Sequence, residues 1–199
     1  MSSKFNVVVC ASGGGGNFQS LIDASLALGI DIVLLIVDRE CGAIARAVAH
    51  GIPYVHVGAA QDDVKFAANF NSAIPYNTQL IILAGFMPII PKSICEKWTG
   101  KLINTHPSLL PKYGGKGMYG VKVQEAVMAG HEKLAGCTVH YVNEVIDGGA
   151  IILQKTITIK DGETPWELGG RVFRAENYLL VEAVALIKLS AEKREKCGT

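Results

Sequence analysis

The chain has 199 residues, 49% of them hydrophobic and 19% charged, with 19 Lys and Arg against 18 Asp and Glu for a net charge of +1. Such a chain carries enough apolar side chain for one packed core and is too hydrophobic to stay disordered. Its even charge balance argues against a surface that grips nucleic acid non-specifically, which runs on a basic excess, yet leaves room for a local anion site.

In chain order, Phe5–Ala11 is a continuous apolar run, the pattern of a strand buried on both faces. A glycine cluster follows, then Phe18, Leu21, Ile22, Ser25 and Leu26 at helical spacing up to Gly29. Ile32–Val37 is again strand-like, and Ala43–His50 is predicted helical, closed by Gly51 with Pro53 just beyond. Tyr54–Val57 is a short strand, Asp62–Ile74 a helix and Leu80–Ala84 a further buried strand. Leu102–His106 is a strand that runs into an irregular stretch rich in proline and glycine, followed by a helix at Val121–Ala129. Two strands come next, Cys137–Val142 and Ile151–Ile159, around a loop containing Asp147-Gly148-Gly149. The last helix opens on a capping box, Thr164-Pro165-Trp166-Glu167, and carries apolar residues at 168, 172, 175, 179, 180, 183, 184 and 187. The charged stretch Lys188–Lys196 then reads as a solvated helix end. Strand–helix alternation implies an α/β fold: a three-layer sandwich with a mostly parallel, Rossmann-like sheet and helices on both faces. A single domain over 1–199 is expected.

No apolar run approaches the roughly 18 residues needed to cross a bilayer, and the first strand lacks a signal-peptide pattern. Five cysteines, Cys10, Cys41, Cys95, Cys137 and Cys197, are odd in number and include no C-x-x-C pair. A disulfide framework is not expected, nor is a metal site, since two histidines at most share one region; the reading is a cytoplasmic protein with no membrane partner.

Two regions carry chemistry. Ser12-Gly13-Gly14-Gly15-Gly16-Asn17 lies between a strand and a helix, where backbone N–H groups and the helix dipole favour an anion. Neither the dinucleotide fingerprint nor the Walker loop fits, because Phe18 or Gln19 takes the final glycine position and no Lys-Ser/Thr pair follows. Phosphate binding and a plain flexible turn capped by Asn17 both remain open. Asp38, ending the second strand, is expected on a surface turn rather than as a ribose-binding acid. In the second region, Asn104 and His106 are two apart on a strand end and share one side, with Pro107 ending the ladder. An amide beside an imidazole can stabilise an oxyanion and handle a proton, and Asp147 could return to the same place, raising the imidazole pKa and favouring imidazolium. Spacing alone leaves this trio and ordinary strand-end polar residues equally open. His140 reads as a packed histidine, and His50, His56 and His131 as surface positions.

Together, the segments Ala11-Ser12-Gly13 to Asn17-Phe18-Gln19, Leu83-Ala84-Gly85-Phe86-Met87, Leu102 to Tyr113 with its Asn-x-His-Pro-Ser-Leu-Leu-Pro core, Thr138-Val139-His140-Tyr141-Val142, and Asp147-Gly148-Gly149 with Ile151-Ile152-Leu153-Gln154 resemble the glycinamide ribonucleotide formyltransferases of purine synthesis. The resemblance covers essentially the whole chain. It implies the formyltransferase fold, with residues 1–100 as a phosphate- and ribonucleotide-binding half and 101–199 as a catalytic and folate-binding half. It also implies transfer of the formyl group of 10-formyltetrahydrofolate, a co-substrate, to the amine of glycinamide ribonucleotide, without a metal. Its alternatives are another amine acceptor, such as an amino sugar nucleotide, or hydrolysis of formyltetrahydrofolate. The length matches the single-domain ribonucleotide enzyme, whereas relatives acting on methionyl-tRNA and deformylases normally carry a further domain. The expected partners are the two small molecules, with a homodimer compatible.

Position by position, the resemblance makes Asn104, His106 and Asp147 catalytic and gives Gly15, Gly16, Asn17 and Glu176 to the ribonucleotide; without it, Glu176 reads equally as a solvated helix acid. Met87, Pro88, Ile89, Ile90, Asn104, Asn143, Glu144, Val145, Ile146 and Asp147 go to the folate, with Leu83, Ile94, Leu102 and Val142 as an apolar wall for which plain core packing stands equally open. The implied mechanism has the Asn104 amide and a protonated His106, supported by Asp147, holding the oxyanion. Two departures stand out. Pro88 replaces a frequent arginine, and Gly114-Gly115-Lys116-Gly117-Met118-Tyr119-Gly120 replaces a histidine-containing stretch. No match to the family's basic contact with the folate tail is found around Asp62–Lys65.

Overall fold

A computed structural model describes residues 4–58 and 60–197, with side chains described through 194. Thirteen elements follow the expected alternation: β1 (Phe5–Ala11), α1 (Gly16–Leu28), β2 (Ile30–Val37), α2 (Gly42–Ala49), β3 (Tyr54–His56), α3 (Asp63–Ala73), β4 (Leu80–Leu83), α4 (Lys92–Lys97), β5 (Leu102–His106), α5 (Val121–Ala129), β6 (Leu134–Tyr141), β7 (Ile151–Thr158) and α6 (Pro165–Cys197). They form one seven-stranded sheet in the order β3-β2-β1-β4-β5-β6-β7. The first five strands are parallel, while β6 and β7 add on in antiparallel sense.

The apolar runs are continuous because both faces of the parallel strands are covered. Val7, Val9 and Ala11 pack on one side with Phe18 and Leu21 of α1, Ala43 and Ala47 of α2, and Val172, Leu180 and Val184 of α6. Val8 and Cys10 pack on the other with Phe66 and Phe70 of α3 and Ile94 of α4. Each of β1's inner residues is fully buried, worth about 1.5–3 kcal/mol per large side chain removed from water.

The helix ends are specified locally. Asp62 caps α3 by accepting from the Val64 and Lys65 N–H groups at 2.9 and 3.0 Å. The capping box of α6 forms: Thr164 Oγ1 accepts from Glu167 N–H, and the Glu167 carboxylate accepts from Thr164 N–H at 2.8 Å. α4 is the element that sequence periodicity did not single out; with six residues after Pro91 it is too short to show a repeat. β6 begins at Leu134, three residues before the sequence pattern placed it, because its first residues pair with Thr158, Ile157 and Thr156 of β7. At the charged end, Lys188 pairs with Glu192 at 2.6 Å and Lys193 and Arg194 are exposed. The side chains of Glu195, Lys196 and Cys197 lie outside the described residues.

Asp38 lies in the bend after β2, beside exposed Arg39 and Glu40, but its own side chain is not at the surface. Its side chain is 2% exposed, because one carboxylate oxygen takes both Arg39 Nε (2.8 Å) and Nη2 (2.6 Å), which lets the group be covered. It does not line the cleft described below. Its sequence neighbourhood resembles a ribose site only in position.

Candidate active site

Where the parallel strands end, a cleft of ≈760 Å³ opens between the loop after β1, the loop after β4, the 107–120 stretch and the 143–147 loop. Its position follows from the sheet: β1 turns to β2 on one side and β4 lies on the other, the reversal point at which open α/β sheets gather ligands. All the residues the sequence assigned to substrates or catalysis line it: Gly15, Gly16, Asn17 and Glu176 at one end, Met87–Ile90 and Asn143–Asp147 at the other, and Asn104 and His106 between. Of the expected apolar wall, Leu83 and Val142 line the cleft, but Ile94 and Leu102 do not. Both are fully buried in the core between β4, β5, α3 and α4, one layer below the surface that a ligand touches.

The glycine end is built from backbone. The Gly13 carbonyl accepts from Ala43 N–H at 3.0 Å and the Gly14 carbonyl accepts from Arg46 Nε at 2.7 Å. Both carbonyls are thereby turned towards α2, and in a trans peptide the N–H groups of Gly14 and Gly15 point the opposite way. Gly15 caps α1 in the left-handed region (φ 71°) with no side-chain cap, and a Cβ there would lie 2.9 Å from Ala43 Cα. The first turn of α1 adds its own N–H groups and dipole. Asn17 does not cap the helix: its Nδ2 donates to Glu176 Oε1 at 2.5 Å, while its Oδ1 is buried without a protein partner. Glu176 is accordingly no solvated helix acid but 6% exposed, and burial pushes its carboxyl from 4.5 up to about 7 against that hydrogen bond. Ser12 connects the two ends of the cleft: its N–H donates to Gly85 O and its Oγ accepts from Met87 N–H at 2.8 Å.

The centre is built from side chains. Antiparallel register sets Asn104 of β5 opposite His140 of β6. His140 Nδ1 faces its neighbour's carbonyl, Tyr141 O, at 2.8 Å and so carries the hydrogen; Nε2 then accepts from Asn104 Nδ2 at 3.2 Å. This fixes the Asn104 amide with its other hydrogen left for the cleft. His106 Nε2 donates to Tyr113 O at 2.9 Å, and its Nδ1 lies 3.5 Å from Asp147 Oδ2. Asp147 Oδ1 lies 3.7 Å from His140 Nε2, and Oδ2 accepts from Gly115 N–H at 2.8 Å. Asp147 is itself in the left-handed region at φ 55°, on a loop whose Gly149 has no room for a Cβ against the Tyr141 carbonyl.

Electrostatics depart from the sequence expectation at His106. Burial pushes its pKa below the ordinary value of 6.5, outweighing the Asp147 carboxylate and the Tyr113 carbonyl, which pull it up. In the free cleft the ring is therefore a neutral imidazole near neutral pH, not the imidazolium expected from a neighbouring acid. Burial likewise pushes Asp147 up, but the neighbouring imidazole of His140, then that of His106, and the Gly115 N–H together hold it below the usual range, as a carboxylate. Three buried thiols are held protonated: burial raises Cys10 and Cys95, and pushes Cys137 up to about 12. Among the described residues, no group of three or more His, Cys, Asp or Glu is placed to hold a metal.

Sequence reasoning missed the part played by His140, which is indeed packed (2% exposed) but orients Asn104. The alternation Thr138-Val139-His140 held the signal, without the strand register needed to use it. Phe173 and Trp166 on α6 also line the cleft and had no signal in spacing alone. The departing loop comes in as well, with Lys116 exposed on its wall.

The end formed by residues 87–90 and 143–147 has an apolar lip. Met87, Ile89, Val145 and Ile146 are large apolar side chains left 39–60% exposed at the lip, an arrangement that costs free energy unless a ligand covers it.

Residues 5–184 match the Formyl transferase family. The chain is similar to the chloroplastic phosphoribosylglycinamide formyltransferase of Arabidopsis thaliana, 33% identical over 188 residues that cover 91% of this chain and 64% of the plant protein. It is also similar to the corresponding Vigna unguiculata protein, 35% identical over 184 residues covering 89% and 59%. The chain thus spans less than two thirds of the length of these curated relatives. Among solved structures, phosphoribosylglycinamide formyltransferase from Anaplasma phagocytophilum superposes with a TM-score of 0.84 at 31% identity, covering 94% of this chain and 89% of that one.

Proposed function

The chain belongs to the formyl transferase family, and from that premise we propose that it transfers the formyl group of 10-formyltetrahydrofolate to the amine of glycinamide ribonucleotide, a step of purine synthesis. One observation carries the reading. Asn104, His106 and Asp147 meet midway in one cleft, between a cradle of inward-turned peptide N–H groups and an apolar lip. The cradle suits a phosphate monoester, the lip suits a pterin, and the trio lies where an amine and a formyl group brought by those anchors would meet.

The folate donor supplies a formyl carbon on a nitrogen that can leave. Asn104, held by His140, donates its free amide hydrogen to the oxygen on which charge develops as the amine attacks. His106, a neutral imidazole with Nε2–H tied to Tyr113, takes at Nδ1 the proton that the attacking nitrogen loses. Asp147 then stabilises the imidazolium so formed, and His106 returns the proton to the departing nitrogen, so no net proton is consumed at the enzyme. Holding both substrates in one cleft supplies much of the acceleration. No covalent intermediate is required, and no thiol lines the cleft among the described residues.

Glycinamide ribonucleotide is the nucleotide bound, with Gly15, Gly16 and Asn17 at its phosphate through backbone N–H groups and Glu176 beneath. Residues 1–100 contribute mainly the phosphate cradle and residues 101–199 the catalytic centre, within one domain. We assign the protein to the cytoplasm, a reading supported by four unpaired cysteines and by the finding that, among the described residues, no helix is long and apolar enough to cross a membrane. The test is an absorbance assay of formyl release from a 10-formylfolate donor, with and without glycinamide ribonucleotide, for wild type and His106→Ala. Release that requires the ribonucleotide and collapses in the variant is expected; release without acceptor, or full activity of the variant, contradicts the reading.

A further inference from the structure

His106 and Asp147 are touched by the same short turn. The Tyr113 carbonyl accepts from His106 Nε2 at 2.9 Å, and two residues later the Gly115 N–H donates to Asp147 Oδ2 at 2.8 Å. The turn works because Tyr113 sits in the left-handed region at φ 57°, which swings its carbonyl towards the histidine. For an aromatic residue that conformation costs on the order of 1–3 kcal/mol and persists only when its surroundings fix it.

What fixes it lies outside the cleft. The Tyr113 phenol donates to Glu132 Oε1 at 3.0 Å, and Lys112 Nζ reaches the same oxygen at 2.8 Å. The Lys112 ammonium, then the phenol, hold the Glu132 carboxyl below its usual range. The ring is half-buried and packs against the core on one side, while a cavity of ≈160 Å³ lined by Leu109, Val127, Leu134 and the Lys112–Glu132 pair opens beside it, so the hydroxyl anchor adds to partial packing. At the hydroxyl the fit is tight, since a Cβ on Gly130 would collide with the phenol oxygen.

We propose that Glu132 is a positioning residue for the transfer reaction: through the Tyr113 phenol it holds the left-handed turn whose carbonyl and following amide align His106 and Asp147. The inference rests on the reaction assigned above. The charged and titratable groups facing His106 are Asp147 from the 143–149 loop and His140 from β6, while Glu176 of α6 lies at the phosphate end beside Asn17. With the turn released, the histidine loses the carbonyl that both fixes its tautomer and raises its pKa.

The experiment is steady-state transfer from pH 5 to 9 for wild type, Glu132→Ala, Glu132→Gln, Tyr113→Phe and the Tyr113→Phe/Glu132→Ala pair, with thermal melts alongside. Glu132→Ala and Tyr113→Phe are each expected to lower kcat about five- to tenfold, with both KM values within twofold of wild type. The acid limb of the kcat profile should move to lower pH. The double variant should be no worse than either single one, because both break the same bond. Glu132→Gln, which keeps an acceptor for the phenol, should retain at least half of the turnover. Additive losses, an unmoved acid limb with only a lower Tm, or wild-type kcat in Glu132→Ala would each overturn the proposal. A wild-type protein that shows no ribonucleotide-dependent transfer would instead defeat the assigned reaction. In that case His106 ring-nitrogen NMR shifts still test the turn: Nε2–H in wild type, and a tautomer mixture in Glu132→Ala; an unchanged single tautomer would overturn it.

Discussion

At the end of β1 the cleft is walled by peptide groups; at the ends of β5 and β6 it is walled by side chains. The glycine end has its carbonyls pulled onto α2 by Ala43 N–H and Arg46, so the groups left for an anion belong to the backbone. Beneath it lie residues of zero exposure from Val7 to Ala11. The other end sets Asn104 and His106 on β5 and Asp147 on a loop; the two loops that meet there each pass through a left-handed non-glycine residue, Tyr113 and Asp147, and hydrogen bonds tie them to one another and to His106. A backbone cradle tolerates side-chain replacement and fails when the chain is forced to move. A side-chain centre fails one substitution at a time. Binding of the anion and turnover should therefore be separable by mutation.

The largest effects belong to the centre. Asn104→Ala removes an oxyanion donor and should lower kcat about 10²- to 10³-fold. His106→Ala should fall at least as far, with the ribonucleotide KM changed by less than threefold in a steady-state titration. The opposite split is expected at the cradle. In Gly15→Ala the Cβ would meet Ala43 Cα at 2.9 Å from a backbone at φ 71°, so the loop must shift. The ribonucleotide KM should rise about tenfold or more while kcat stays within threefold. Equal changes in both parameters for both variants would dissolve the distinction.

Protonation sharpens it. Burial keeps His106 neutral in the free cleft, so kcat/KM for the ribonucleotide should be flat around neutral pH and fall on acidification through a value below 6.5. Activity that rises as the pH is lowered would mean that the imidazolium is the working form. Glu176 titrates nearby, at about 7, so Glu176→Gln run in parallel separates its contribution. The same carboxyl makes the phosphate end pH-sensitive in stability. Its pKa is raised on folding, so its contribution is fully present below about 4.5 and is lost as pH rises through about 7, on the order of 3 kcal/mol in all. Thermal melts from pH 5 to 8 should show wild type losing stability relative to Glu176→Gln; parallel curves would contradict the assignment.

Much of this was legible in the sequence, and unequally so at the two ends. Continuous apolar runs gave β1, β2 and β4, and glycines between a strand and a helix gave the cradle, because both signals are local. The site residues carried by resemblance, from Gly15 to Glu176, all reach the cleft, yet local pattern could not say how. His140 needed the β5–β6 register before its contact with Asn104 could be seen. Glu176 looked like a surface acid because a helix gives no sign of which residue meets the end of a sheet 159 positions away. For Ile94 and Leu102 cleft wall and core stood equally open, because apolar residues read alike in the core and one layer above it; the fold puts both in the core. The charge state of His106 depended on how much solvent the fold removes, which no spacing encodes.

The most direct test of the two-ended cleft is one titration of glycinamide ribonucleotide at saturating 10-formyltetrahydrofolate, run on wild type, Gly15→Ala and Asn104→Ala. The expected result is a raised KM with near-normal kcat in Gly15→Ala and a kcat reduced at least a hundredfold with near-normal KM in Asn104→Ala. If Asn104→Ala instead turns over at the wild-type rate, or Gly15→Ala loses kcat and keeps its KM, the phosphate cradle and the catalytic centre have been assigned to the wrong ends.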